Sequence, residues 1–229
     1  MTITTTTLSR AAGVAAVLAG LLFIGVQIGH PHLDADVATT TDYAVRETAK
    51  ILMAVLSLIG ITGMYLRQVQ RIGVLGLLGY VVFGAGYLLL MSIQIIAVIV
   101  LPFLASSSPD FVNDVLVAAV GGTPPGDIGA LQILFKVSGF TFLIGGFLFG
   151  IALFRAGVLA RWAAALLAVG AVATIATSLL PQVNPRLFAI PIGVAMVGLG
   201  YSLWRKQVAP AARLVTSSAG APLDPAGAR

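Results

Sequence analysis

The sequence predicts an all-α fold, a polytopic transmembrane helical bundle with six spans and both termini in the cytoplasm. Only 9% of the 229 residues are charged and 59% are hydrophobic, whereas a soluble domain carries about 25% charged residues. The mean hydropathy is +1.03. Such a chain has too few polar residues to cover a water-exposed surface, which places most of it in a lipid bilayer.

A spanning helix needs about 20 apolar residues, because the hydrocarbon core is about 30 Å thick and each residue rises about 1.5 Å. Membrane β-strands are excluded, because the apolar runs show no period-two alternation. The predicted spans are 11–28, 48–66, 72–101, 128–154, 162–180 and 187–204.

Charged residues interrupt only two of these spans, with Lys50 near the start of the second and Lys136 within the fourth. Between the third and fourth spans, 106–127 is predicted to be an extracytoplasmic loop with a short interfacial helix. Ser108-Pro109-Asp110 favours a helix start, since it offers a capping side chain, a proline and an acid near the positive end of the dipole. A re-entrant half-helix is the alternative for this loop.

The charged residues outside the spans predict the orientation. Basic residues concentrate before span one, after spans two and four and after span six: Arg10, Arg67, Arg71, Arg155, Arg161, Arg205, Lys206, Arg213 and Arg229. Acidic residues concentrate on the opposite side: Asp34, Asp36, Asp42, Glu47, Asp110, Asp114 and Asp127. By the positive-inside rule the basic side is cytoplasmic.

This orientation divides the chain into a cytoplasmic segment 1–10, the bundle 11–204 and a tail 205–229. The tail is rich in Ala, Pro, Ser and Gly, a composition that predicts disorder. The first span follows Arg10 and precedes the small-residue site Ala35-Asp36-Val37, so a cleaved signal peptide is an alternative for it. Its apolar run exceeds a usual signal core of about 7–15 residues, which favours a retained span.

Small residues predict where the spans pack, because they let two helix backbones approach closely in lipid. They form a stripe of Ala12, Ala16 and Gly20 on the first span and a Gly146-x-x-x-Gly150 motif on the fourth. Packing within one chain is the preferred interpretation. A homo-oligomer or another membrane protein as partner is the alternative.

Lys136 is the most informative polar residue, because an intramembrane charge is costly and usually faces protein or water. It lies about 12 Å into the fourth span, one helical turn after Gln132. Gln94 and Gln27 fall in the same outer leaflet. These four residues predict an outward-facing polar cavity. Glu47, at the mouth of the second span, is expected to contribute to helix entry and headgroup contact, and a role as counter-ion of Lys136 is the alternative. Snorkelling of the Lys136 side chain to the membrane surface is the alternative.

A second cluster of polar residues follows the first span. His30, His32, Asp34 and Asp36 supply nitrogen and oxygen donors that suit Zn, Cu or Ni. The spacing matches no familiar metal motif, and a solvated acidic loop is the preferred interpretation. We therefore assign no cofactor.

Two short basic turns carry a resemblance to known families. One is Gly150-x-x-Leu153-x-Arg155-x-Gly157-x-Leu159-x-Arg161-Trp162, and the other is Gly63-x-Tyr65-Leu66-Arg67 followed by Arg71. The layout resembles uncharacterised small six-span integral membrane protein families of bacteria, of the actinobacterial type. The resemblance implies a multi-pass protein of the bacterial plasma membrane, and it implies no activity.

Several function classes are excluded by what the sequence lacks. It has no cysteine, no run of more than two basic residues, no Walker loop and no hydrolase or zinc-protease motif. Nucleic acid is therefore not an expected partner, whereas the lipid bilayer is. We expect a small-solute permease or an amphiphile-binding accessory subunit rather than an enzyme. A structural or assembly module is the alternative, followed by a lipid-modifying enzyme that uses His30 as base.

Overall fold

The computed structural model describes residues 4–29, 33–173 and 189–219, and all regular structure in these ranges is helical. The helices are α1 (Thr5–Gly25), α2 (Thr41–Leu104), α3 (Pro109–Ala119), α4 (Ala130–Ala156), α5 (Arg161–Ala173) and α6 (Ala189–Ala219), with a 3-10 turn at Val37–Thr39. Among the described residues α1, α2 and α4 are long and apolar enough to cross a membrane, and α5 is a shorter apolar helix.

The long helix α2 is folded back on itself at Gly73. A straight helix of its 64 residues would be about 96 Å long. Gly73 has φ 62° and ψ −167°, a conformation open only to glycine. Across this turn the hydroxyls of Thr62 and Tyr80 lie 3.0 Å apart, and the rings of Tyr65 and Tyr80 stack with centroids 4.7 Å apart. Residues 41–72 and 74–104 therefore form two antiparallel arms.

The two arms of α2 join α1, α4, α5 and α6 in a closed ring of six helical segments. Along each contact the residue number rises on one segment and falls on the other, so neighbouring segments are antiparallel. The contacts are Ala12 with Gly63 and Ala16 with Gly60 (α1 and first arm), Gly13 with Gly200 and Gly20 with Gly193 (α1 and α6), Gly79 with Phe149 and Gly86 with Phe142 (second arm and α4), Gly150 with Ala168 and Gly146 with Ala171 (α4 and α5), and Gly170 with Ile192 (α5 and α6).

Several of these contacts leave no room for a side chain. A Cβ on Gly150 would lie 2.7 Å from the backbone nitrogen of Ala168 and 2.9 Å from the carbonyl oxygen of Ala164. A Cβ on Gly60 would lie 2.8 Å from that of Ala16. The small residues that the sequence marks for packing, Ala12, Ala16, Gly20, Gly146 and Gly150, all lie against helices of the same chain.

The centre of the ring is filled by aromatic side chains. Phe83, Tyr87 and Phe149 are fully buried. The ring of Phe83 lies 4.8 Å from that of Tyr87, 5.1 Å from that of Phe142 and 6.3 Å from that of Phe149, between centroids. We refer to Phe83, Tyr87, Phe142 and Phe149 as the aromatic cluster.

The antiparallel order gathers the basic residues at one end of the ring. The turn at Gly73 and the turn after α4 lie at this end. The second turn is made by Gly157, which has φ 64° and whose N–H donates to the carbonyl oxygen of Leu153 at 3.2 Å. This end, the basic end, carries Arg10, Arg67, Arg71, Arg155, Arg161 and Arg205. The opposite end, the acidic end, carries the seven acidic residues of the described ranges.

The helix bounds differ from the predicted spans at three places. Residues 67–71 are helical, and the chain reverses at Gly73, inside the segment predicted as the third span. α1 begins at Thr5, where the hydroxyl of Thr4 accepts a hydrogen bond from the N–H of Thr7. α6 continues to Ala219, through part of the tail expected to be disordered. That segment is rich in alanine, which has the highest intrinsic helix propensity of the amino acids. A prediction of disorder from composition alone does not take this propensity into account.

Candidate functional site

A cavity of about 730 Å³ lies between the acidic end and the aromatic cluster. Its walls come from α1, both arms of α2, α3, α4 and the first turn of α6. Most of the lining is apolar, from Phe23 on α1, Met53, Leu90, Ile93, Ala97 and Leu101 on α2, Val115 and Leu116 on α3, Phe135 and Phe142 on α4, and Ile192 on α6. The polar lining residues are Gln27, Tyr43, Glu47, Lys50, Gln94 and Ser138.

Three of the polar lining residues are buried without a partner. Tyr43 is 2% exposed, Ser138 is 5% exposed and Gln94 is 9% exposed. Their side chains make no hydrogen bond with any residue that the structure describes. All three residues line the cavity, so water or a ligand there can supply their hydrogen-bond partners.

The charged lining residues form one ion pair. Lys50 Nζ donates a hydrogen bond to Glu47 Oε1 at 2.5 Å, and the two side chains are 17% and 4% exposed. Both residues lie on the first arm of α2, three positions apart, so that one helical turn places them on the same face. Because the pair is neutral as a whole, the cavity wall carries no net charge from the lining residues.

A cap formed by two segments covers the cavity at the acidic end. Residues 33–39 and α3 pack on the ends of the two α2 arms through buried Ala35, Ala38, Val112 and Leu116. The backbone N–H of Ala35 donates to Asn113 Oδ1 at 2.8 Å, which joins the two segments directly. α3 begins at Pro109 as the sequence pattern indicates, although the Ser108 side chain makes no capping hydrogen bond.

Arg46 ties the first arm of α2 to the end of α1 beside this cap. Its guanidinium donates to the carbonyl oxygens of Ile28 at 2.9 Å and Gly29 at 3.1 Å. It also forms an ion pair with Asp42 at 2.8 Å. Carbonyls that follow a helix lack intrahelical partners, and a cation is favourable near them. These bonds fix the chain on both sides of the loop that carries the cap.

The cavity reaches the surface of the chain beside the last residues of α3. Among the lining residues Ala119, Val120 and Gly139 are exposed. A Cβ on Gly139 would meet no atom within 4 Å. Part of the cavity wall is therefore exposed at the surface between the end of α3 and α4.

The structure brings together some of the residues predicted for a polar cavity and leaves others outside. Gln27, Glu47 and Gln94 line the cavity, whereas Lys136 and Gln132 do not. Lys136 is exposed and makes no ion pair or hydrogen bond with a described residue. The counter-ion proposed for it, Glu47, is bonded to Lys50 instead.

The position of Lys136 follows from the helical period of α4. Leu131, Phe135, Ser138 and Phe142 share the face that lines the cavity, with spacings of four, three and four residues. Gln132 and Lys136 occupy the adjacent stripe, rotated by about 100°, and this stripe contributes Gly139, which has no side chain, to the lining. Reasoning on membrane depth alone cannot distinguish these two stripes.

The predicted metal residues are only partly within the described chain. His30 and His32 lie outside the described residues. Among the residues that the structure describes, no group of three metal-ligating side chains occurs. Asp34 is engaged locally, since its Oδ1 accepts a hydrogen bond from the N–H of Val37 at 2.8 Å. Asp36 is exposed.

Comparisons with known proteins add no identification. No family model, curated protein or solved structure matches the chain. The lining residues offer three titratable groups, Tyr43, Glu47 and Lys50, and no pairing of a nucleophile with a base.

Proposed function

We propose that the chain is a multi-pass membrane protein that binds an amphiphile in the cavity between its acidic end and the aromatic cluster. The observation that carries this proposal is that the unpartnered polar side chains of Tyr43, Gln94 and Ser138 line a mostly apolar cavity. A polar headgroup would satisfy these groups, and an alkyl portion would contact the apolar lining. The volume of about 730 Å³ lies within the range of about 300–1,000 Å³ typical of ligand pockets.

The charge of the wall limits the class of ligand. Glu47 and Lys50 satisfy each other, and Lys136 lies outside the cavity, so the described lining residues supply no unpaired cation to attract an anion. The free groups are the amides of Gln27 and Gln94 and two hydroxyls, which both donate and accept hydrogen bonds. The preferred ligand is therefore uncharged, with a hydroxyl- or amide-bearing headgroup.

Binding is favoured over permeation by the aromatic cluster. Three of its four rings are fully buried and lie between the cavity and the basic end, which disfavours passage of a solute to that end. An accessory subunit that holds or presents an amphiphile fits this arrangement better than a permease does. An assembly module is less favoured, since the small residues that could otherwise meet a partner pack against helices of the same chain.

A binding experiment with a matched control tests the proposal. Gln94→Leu removes a cavity amide, and Gln132→Leu makes the same change at an amide that does not line the cavity. The purified variants are titrated with a fluorescent monoacylglycerol in detergent micelles. Gln94→Leu is expected to weaken binding about fivefold, which corresponds to about 1 kcal/mol for one hydrogen bond, whereas Gln132→Leu leaves it unchanged.

Three results contradict the proposal: no saturable binding to the wild-type protein, equal effects of the two variants, or tighter binding of a fluorescent fatty acid anion than of the monoacylglycerol. The last result would indicate a cationic site, which the lining residues do not supply. Thermal unfolding of each variant checks that folding is intact.

The membrane placement that we propose has six spans, each arm of α2 making one, in the bacterial plasma membrane. The antiparallel ring supports it, since consecutive segments alternate in direction. The basic end is cytoplasmic by the positive-inside rule, so both termini are cytoplasmic and the cavity opens in the outer leaflet.

Cysteine labelling tests this placement, and the chain has no native cysteine to interfere. Ser107, Asp127 and Gln70 are all exposed. Single cysteines at Ser107 and Asp127 are expected to react with an impermeant maleimide on intact cells, and one at Gln70 only after permeabilisation. Labelling of the Gln70 variant on intact cells, with protection of the other two variants, would show that the orientation is the reverse of the one proposed.

A further inference from the structure

A second concavity, separate from the cavity, lies at the basic end of the chain. This groove has a volume of about 630 Å³ and runs between the start of α1 and the end of the first α2 arm. Its lining residues are Thr5, Leu8, Ser9, Ala12, Leu58, Ile59, Thr62, Gly63, Leu66 and Arg67. Leu8 is 59% exposed and Leu66 is 62% exposed, so the groove is open along the outer surface of the ring.

The groove is polar at one end and apolar along its floor. Arg67 lies at the basic end together with the hydroxyls of Thr5 and Ser9. Deeper along the groove, the hydroxyl of Thr62 is already satisfied, since it donates to the carbonyl oxygen of Leu58 at 2.7 Å and lies 3.0 Å from the Tyr80 hydroxyl. The floor therefore offers apolar contact and no free polar side chain.

The charge at the polar end is unopposed within the described chain. Arg67 is exposed and makes no ion pair or hydrogen bond with a described residue. Arg10 and Arg71 lie at the same end, and all described acidic residues lie at the opposite end. A negatively charged group at this position would meet attraction from several guanidinium groups and repulsion from no described carboxylate.

We propose that the groove binds one anionic phospholipid of the bilayer, with its phosphate against Arg67 and an acyl chain along Leu58, Ile59 and Leu66. The groove is polar at Arg67 and apolar along its floor, as a phospholipid is polar at its headgroup and apolar along its acyl chains. Arg is suited to this contact because its planar guanidinium binds phosphate oxygens through two parallel hydrogen bonds. The site depends on the proposed membrane placement and is independent of the ligand in the cavity.

Native mass spectrometry of the purified protein tests the site. The protein is equilibrated in micelles that contain equal amounts of phosphatidylglycerol and phosphatidylcholine, and the ratio of bound lipids is measured. Arg67→Gln is expected to lower the phosphatidylglycerol preference about fivefold, the factor for about 1 kcal/mol per basic residue near an anionic membrane surface. Arg155→Gln, at the same end on the α4 side, is the matched control and should retain the preference.

Two further experiments distinguish lipid binding in the groove from general attraction between charges. Ile59→Phe keeps every arginine and narrows the groove at an exposed position, so it is expected to reduce bound lipid of both kinds. Millimolar inorganic phosphate should not displace the phosphatidylglycerol. Equal losses in Arg67→Gln and Arg155→Gln, full retention in Ile59→Phe, or displacement by phosphate would each overturn the proposal.

Discussion

Replacing Lys50 by leucine should destabilise the protein, whereas replacing Lys136 by leucine should leave its stability unchanged or raise it. Lys50→Leu removes the ammonium that lies 2.5 Å from the Glu47 carboxylate, whose side chain is only 4% exposed. Removing one partner of a buried pair costs about 3–5 kcal/mol. The partial exposure of Lys50, 17%, places the expected cost near the lower bound, about 3 kcal/mol.

Lys136→Leu removes a charge that has no partner in the described chain. A lysine at the bilayer centre costs about 2.5–3.5 kcal/mol on insertion scales, and snorkelling recovers most of that near the surface. The leucine variant should therefore be neutral or more stable by about 1 kcal/mol. No described hydrogen-bond partner is orphaned by the change, so no opposing penalty is expected.

Thermal unfolding in one detergent, followed by tryptophan fluorescence, measures both effects. A chain of this size shifts by about 2–4 °C per kcal/mol. Lys50→Leu should lower the midpoint by about 6–12 °C, and Lys136→Leu should leave it unchanged or raise it by about 2–4 °C. The double variant Glu47→Leu, Lys50→Leu should recover most of the loss, because replacing both charges with apolar residues is close to neutral.

Two outcomes would refute this reasoning. A large loss of stability in Lys136→Leu would mean that Lys136 has a buried partner after all. A double variant as unstable as Lys50→Leu alone would mean that the loss arises from packing of the lysine stem rather than from the orphaned Glu47 carboxylate.

Three further predictions concern the helices and the cap. Gly150→Ala should lower the unfolding midpoint by about 2–12 °C, because overpacking against the Ala168 backbone costs about 1–3 kcal/mol. Gly139→Ala, where the space is open, should raise it, and equal shifts would contradict the packing described for α4. Asn113→Leu should cost about 1 kcal/mol and speed hydrogen exchange in the cap, and exchange that stays as slow as in wild type would show that this bond does not hold the cap. Gly73→Ala should cost about 1–3 kcal/mol, measured by the same unfolding assay, and an unchanged midpoint would contradict the turn geometry.

The sequence was sufficient to predict a helical membrane protein because every long apolar run is a strong, local signal. For this reason, each of the helices α1, α4 and α5 overlaps one of the predicted spans. The position of the chain reversal at Gly73 was harder to predict, because basic residues such as Arg67 and Arg71 are typical of a loop between two spans. Both can remain helical, since long basic side chains at a helix end extend to the membrane surface.

The direction in which each side chain points was less predictable than the position of the helices. In a soluble protein, apolar periodicity distinguishes the inner from the outer face of a helix. In a bilayer both faces are apolar, so the sequence of α4 does not show that Ser138 faces the cavity while Lys136 faces outward. Gln94 and Glu47 could be named because a polar group inside a span is informative on its own. The pairing of Glu47 with Lys50, and the role of Tyr43, depend on how the arms of α2 and the cap meet.

The turn at Gly73 also sets the rotational phase of everything that follows it in the second arm of α2. Because no flexible linker separates the arms, one residue inserted just after Gly73 would rotate the rest of that arm by about 100° about its axis. Gly79 and Gly86 would then lose their contact with α4, and Gln94 would leave the cavity wall. A single codon inserted at this point should be as disruptive as removing a helix, whereas one inserted in the exposed stretch after α3 should be tolerated.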